Sequence, residues 1–263
     1  MKQHLIPLVV ATSLVAILSG HAATTLGVNF YDNSINAQVN GNFGATWTNV
    51  VPAAGSGLAI NGTPSTTMHW TASQYSQAGS WTSSTVGNLN GTPISLMRKF
   101  LNDGDTPAAG APASLGSVLG DGIGVSVNLQ GLSAWLISEG ATAYTIRAFF
   151  NTETNDATFQ SITVHDGNSI TSPMIETITP TVQGNGQWNG TNIDGGGNLT
   201  DGTRGDAIFA TQFTQDNITL TLPIRNGNAR GTLAGFVITA VPEPSVILLG
   251  CFGILALFRR RRP

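Results

Sequence analysis

The sequence predicts an all-β protein, a β-sandwich with one short helix, carrying an N-terminal signal helix and a C-terminal apolar helix outside the fold. Three observations predict it. Short runs of strand-forming residues follow one another along the middle of the chain, several with apolar side chains at every second position. Gly and Asn punctuate those runs at short intervals, as turns require. The chain has 263 residues with 32 glycines and only 10% charged residues, so a large low-charge body must bury its apolar strand faces against a second layer.

The strands justify the class one by one. "LGVNF" (Leu26–Phe30) opens the body, and "TTMHWT" (Thr66–Thr71) alternates polar with apolar. "GIGVSVNL" (Gly122–Leu129) sets Ile123, Val125, Val127 and Leu129 on one face. "AYTIRAFF" (Ala143–Phe150) sets Tyr144, Ile146 and Ala148 against Thr145 and Arg147. Phe159–Asp166, Ile175–Val182, Asp206–Phe213, Asn217–Ile224 and Gly231–Thr239 complete the series. The expected helix is "TPISLMRKFLND" (Thr92–Asp103): Thr92 caps it, Pro93 suits its first position, and Ile94, Met97, Phe100 and Leu101 share a face. Two loops are long and rich in small residues, Asp103–Ser117 and Gln183–Asp206. No strict repeat is present, which argues against a solenoid or propeller.

The two ends read differently from the body. Met1-Lys2-Gln3-His4, an apolar run from Leu5 to Leu18 and the exit "SGHAA" describe an export signal over residues 1–22, with cleavage after Ala22. A retained anchor is the competing reading. The body, residues 23–240, is then one β domain. It keeps six basic residues against thirteen acidic ones, a formal net charge of −7. An acidic body without a basic stripe excludes nucleic acid as the expected partner. The single cysteine, Cys251, lies in the tail, so the body is expected to have no disulfide and no thiol chemistry.

The tail, residues 241–263, runs Val-Pro-Glu-Pro-Ser, then an apolar stretch from Val246 to Phe258, then Arg259, Arg260, Arg261 and Arg262. As a helix that stretch is roughly 20 Å long, short of the roughly 30 Å of bilayer hydrocarbon. The arginines stop translocation and hold their end on the cytoplasmic side. Pro242 and Pro244 bias Val241 and Glu243 to extended backbone, as a protease substrate requires. This order of elements resembles the PEP-CTERM sorting signal of Gram-negative bacteria; a plain C-terminal anchor is the competing reading. The resemblance implies processing near Pro242-Glu243-Pro244 by an exosortase, a membrane-embedded cysteine protease. It further implies export through signal peptidase and the export machinery, a transient inner-membrane stage with the C-terminus cytoplasmic, and delivery to the cell surface or an exopolysaccharide matrix.

The body is similar, in scattered pieces, to galactose-binding-like jelly-roll modules: Gly27–Phe30, Trp47, Trp70 with Trp81, Leu96–Leu101 and Gly231–Ile238 are the matching segments. That resemblance implies a non-catalytic carbohydrate-binding or structural module with extracellular polysaccharide as a partner. Trp70, Tyr75, Trp81 and Trp188 are the candidate sugar platforms, because aromatic rings offer apolar planes to sugar faces. The competing reading places Trp47, Trp70, Trp81 and Trp135 in the core. Asp194, Asn198, Asp201 and Asp206 could supply oxygen ligands to Ca²⁺, although Asp and Asn are also ordinary turn residues; Asp103 and Asp105 lie in the other loop. No other cofactor is expected. No catalytic residue is assigned: His69 and His165 are far apart, and no nucleophile elbow, metal-binding His pair or phosphate loop occurs. The alternative is a secreted carbohydrate-active enzyme, a glycoside hydrolase or lyase using two of the thirteen carboxylates. Arg204-Gly205-Asp206 spells an adhesion tripeptide and is read as coincidence.

Overall fold

The structure is a computed structural model, which describes residues 24–30, 45–50, 55–60, 63–72, 74–77, 99–102, 122–151, 158–185 and 203–242. Along the chain run β1 (Thr25–Phe30), β2 (Ala45–Val50), β3 (Gly55–Ile60), β4 (Thr63–Ala72), β5 (Gln74–Gln77), β6 (Lys99–Asn102) and β7 (Ile123–Gln130). Helix α1 (Leu132–Ser138) precedes β8 (Ala141–Asn151), β9 (Thr158–Phe159), β10 (Ile162–Asp166) and β11 (Met174–Ile178). Then come β12 (Thr181–Asn185), β13 (Thr203–Ile208), β14 (Ile218–Pro223), β15 (Ala229–Arg230) and β16 (Gly235–Pro242).

Two six-stranded sheets carry the fold. One has the order β12-β13-β8-β16-β1-β2, the other β11-β10-β14-β7-β4-β3. The chain passes between them at β2–β3, β7–β8, β8–β10, β11–β12, β13–β14 and β14–β16. Pairing is antiparallel within both, except that β1 and β2 run parallel. Such repeated crossing is what a two-layer sandwich needs, since each strand then hides its apolar face against the other sheet.

Period two sets which side chains meet. From one sheet, Met68, Trp70 and Ala72 of β4, Val125, Val127 and Leu129 of β7, and Ile218, Leu220 and Leu222 of β14 point inward. From the other come Leu26, Val28 and Phe30 of β1, Tyr144, Ile146, Ala148 and Phe150 of β8, and Phe236, Ile238 and Ala240 of β16. A one-residue slip in any of these strands would turn its whole apolar set outward, so the pattern itself fixes the register. Tyr144 is fully buried, stacks on Phe213 with centroids 5.7 Å apart, and donates to the Gln215 carbonyl at 3.1 Å. Burial first, then the Asp166 and Asp216 carboxylates, pushes its phenol well above the ordinary tyrosine range.

The expected helix over Thr92–Asp103 is corrected where the structure describes it. Lys99–Asn102 is a strand, paired antiparallel with β5 in a small separate sheet. Three or four apolar residues cannot tell a helical face from a strand face, and here the partner strand decides. Residues 92–98 lie outside the described set. Among the described residues the helix is α1, which buries Leu132, Trp135 and Leu136 on its i, i+3, i+4 stripe. It has no side-chain cap at Gly131; instead the Asp216 carbonyl takes the Leu132 N–H and the Asp216 carboxylate takes the Ser133 N–H, both at 2.9 Å. Gly140, at φ 62°, ends it in the left-handed conformation. The run expected over Ile175–Val182 divides at Thr179-Pro180 into β11 and β12, one in each sheet.

Candidate functional site

The last strand leads directly into the tail. Strand β16 sits inside its sheet, with β8 on one side and β1 on the other. Phe236, Ile238 and Ala240 face the core, and the Ala240 N–H donates to the Thr24 carbonyl at 3.0 Å. Val241 pairs with Ala143, the register shifts, and Pro242 pairs with Ala141. A proline contributes no N–H to a ladder, so this is a natural place for pairing to stop. Val241 is half-buried and Pro242 is exposed.

Because β1 runs antiparallel to β16, the first residues of the body lie beside these last ones, with Thr25 opposite Thr239. Helix α1 and the start of β8 complete the same end. The Thr24 hydroxyl donates to the Glu139 carboxylate just past α1, and Ile137 on α1 is 79% exposed. Residues separated by more than a hundred positions thus gather at one end of the sandwich, around the close of β16. Nothing local in the sequence places Glu139, Ile137 and Thr24 together; only the strand order brings them to this end.

The protein-sorting motif of PEP-CTERM proteins matches residues 240–262. The chain carries the PEP-CTERM sorting signal. The match begins at Ala240, a core residue of β16, so the sorting signal starts inside the folded sheet. The signal implies export, targeting to the cell surface and an exosortase as processing partner. Glu243, Pro244 and Arg259 to Arg262 lie outside the described residues, as does the apolar run between them. Among the described residues no helix is long and apolar enough to cross a membrane. No curated protein and no solved structure matches the chain.

The residues proposed for ligands are dispersed. Trp70 is 6% exposed and part of the core, so its ring is not a platform facing solvent. Tyr75 lies on β5, opposite Leu101. Trp81, Trp188, Asp194, Asn198 and Asp201 lie outside the described residues. Asp206 is buried on β13 and its carboxylate is held by the Arg147 guanidinium, with Nε at 2.9 Å from Oδ2. That pairing engages one of the four residues expected to serve Ca²⁺. Gly205 beside it has no room for a side chain: a Cβ there would lie 2.7 Å from the Phe159 ring. Gly205 and Asp206 are thus buried sheet residues, which agrees with reading the adhesion tripeptide as coincidence. Trp135 is buried in the core as that reading expects, whereas Trp47 is buried over Gly27 on the outer face of its sheet.

His69 and His165 serve the outer face of the second sheet. His69 is buried on β4, and its Nδ1 accepts the Gly57 N–H at 3.2 Å, which leaves the proton on Nε2. Burial lowers its pKa. His165 on β10 donates from Nδ1 to the Ser172 carbonyl at 2.9 Å and accepts from the Thr221 hydroxyl at Nε2, at 3.0 Å. Between them in the strand order, Asn128 donates to the Ile218 carbonyl at 2.9 Å and accepts from Gln130 at 2.7 Å. The Thr219 hydroxyl donates to the Gly167 carbonyl at 2.8 Å. The bonds from His165 to Ser172 and from Thr219 to Gly167 clip the β10–β11 hairpin loop onto the sheet. Each polar group named here has a structural partner, which is how buried polar side chains are normally accommodated.

Proposed function

We propose that this protein is an exported surface or extracellular-matrix component, delivered by its signal and sorting segments, whose body is a non-catalytic module. The N-terminal signal takes it through the export machinery and is removed by signal peptidase after Ala22. The tail then holds it in the inner membrane with the arginines cytoplasmic, until an exosortase cuts near Pro242-Glu243-Pro244. The observation that carries this reading is the placement of the sorting motif, whose match begins at the end of β16, with Pro242 exposed. Cutting there would release a complete sandwich.

The non-catalytic reading of the body draws support from how its ionisable groups are used. Asp206 pairs with Arg147, and Glu139 accepts from Thr24. Glu176 accepts the Ala210 and Thr211 N–H groups at 3.2 and 3.1 Å, tying β11 to the segment after β13. Contact with polysaccharide, through aromatic residues such as Tyr75, Trp81 and Trp188, is the binding form of this proposal, and a purely structural matrix role is the other.

Intact mass of the mature protein from exosortase-containing cells tests the processing. A chain beginning at Ala23 and ending within Pro242–Pro244 is expected, and an exosortase-deficient strain should keep the mass through Pro263. Mature protein that retains Arg262 in both strains would remove the proposal. Glycan-array binding of the processed body, with and without chelator, separates the two forms: signal on polysaccharide favours binding, and signal lost with chelator restores the calcium site. Hydrolysis or lyase cleavage of a bound polysaccharide would replace both with the enzyme reading.

A further inference from the structure

The geometry of the chain exit constrains how the body sits before it is cut. Pro242 ends β16, and the apolar run begins at Val246. Four Cα steps separate them, at most about 14 Å of extended chain. Strand β16 spans eight residues, so the far end of the sandwich lies about 25 Å further away. A tail inserted in the bilayer therefore brings one end of the body, and not the other, against the lipid headgroups.

We infer that the end formed by α1, the start of β1 and β8 and the close of β16 is a lipid-facing surface, with Ile137 its apolar contact. This rests on the proposed insertion of the tail. Ile137 is a large apolar side chain exposed on α1, three positions before Gly140, which turns the chain into β8. Strand β8 begins at Ala141, the residue that pairs with Pro242, so α1 ends beside the chain exit. The apolar stripe of α1, Leu132, Trp135 and Leu136, faces the core, so Ile137 is the apolar side chain the helix offers to the headgroup boundary. The charges described at this end are acidic: Glu139, which accepts from Thr24, Asp216, which accepts from Ser133, and Asp166, exposed at the end of β10. They do not attract an anionic surface. The tether and Ile137 set the contact, so it should persist on zwitterionic lipid and in high salt.

The test uses the full chain after signal removal, reconstituted in phosphatidylcholine vesicles that carry a nitroxide on the lipid headgroup. Cys251→Ser removes the native thiol, and a thiol-reactive fluorophore is placed at Ile137→Cys or, as the far-end control, at Asn228→Cys. Asn228 is exposed in the turn after β14, at the end where Ile224 bonds to Gly122. The fluorophore at position 137 should lose most of its emission, that at 228 should keep it, and high salt should change neither. Equal quenching at both positions, in chains that stay with the vesicles, would overturn the lipid-facing end while leaving tail insertion intact. Chains that float free of the vesicles would overturn both.

Discussion

At the residue scale, the sharpest dependences are on charge pairing and on space. Asp206 and Arg147 share a partly dry outer face of the first sheet, with side chains 6% and 18% exposed. Losing one partner of such a pair strands the other charge, which costs about 2–4 kcal/mol. Asp206→Ala should lower the urea midpoint accordingly. The double change Arg147→Met with Asp206→Leu should recover much of the loss, since an apolar pair needs no counter-charge. Gly27 is a packing residue of another kind: a Cβ there would meet the Trp47 indole at 2.5 Å. The ring has no flexible end to move, so Gly27→Ala should cost about 1–3 kcal/mol by overpacking, read as a lowered Tm.

His69 gives the molecule a pH dependence with a definite sign. Its folded pKa lies below the model-compound value of 6.5 because burial disfavours the charged ring. Below about pH 6.5 the unfolded chain therefore binds the proton more readily than the folded one. The stability held through His69 is complete above that pH and declines as the pH falls toward the folded pKa. Protonation would also place a hydrogen on Nδ1, where the Gly57 N–H now donates. His69→Gln keeps an acceptor there and should flatten the acid side of a stability-versus-pH curve. An unchanged slope would show that other groups dominate it.

At the element scale, α1 shows why a short helix can persist in a β protein. Seven residues are too few for intrinsic helix stability. Its order comes from Trp135, wholly buried near Tyr144 with ring centroids 6.5 Å apart, and from Asp216, which satisfies its first N–H groups. Trp135→Ala should cost about 3–5 kcal/mol, visible as loss of cooperative thermal unfolding. The same residue shows where local reading falls short. "LSAWLIS" has a good i, i+3, i+4 stripe, but it is brief and lies between two strong strands, so its pattern was masked by theirs. In Lys99–Asn102 the error ran the other way: a helical-looking stripe was resolved as strand by β5.

At the scale of the whole molecule, β16 joins stability to processing. A chain ending at Pro242 should unfold at the same temperature as the mature protein. One ending at Thr239 loses the pairs of Ala240, Val241 and Pro242 with β8 and the bond to Thr24. At roughly 1 kcal/mol per hydrogen bond, it should be less stable by about 2–3 kcal/mol. Differential scanning calorimetry of the two truncations checks this. Equal melting temperatures would mean that the end of β16 is not needed by the fold.

The β class, most inward strand faces and the sorting signal are legible in the order of residues alone. These are local properties: alternation needs only a few residues, and Pro-Glu-Pro with its flanks is contiguous. Tertiary structure alone decided that the signal begins within a paired strand and that Thr24, Ile137 and Glu139 stand beside it. It alone decided that Asp206 answers to Arg147 and Trp70 to the core. Those facts depend on strand order, and strand order comes from burying many faces at once, which no single stretch of chain encodes.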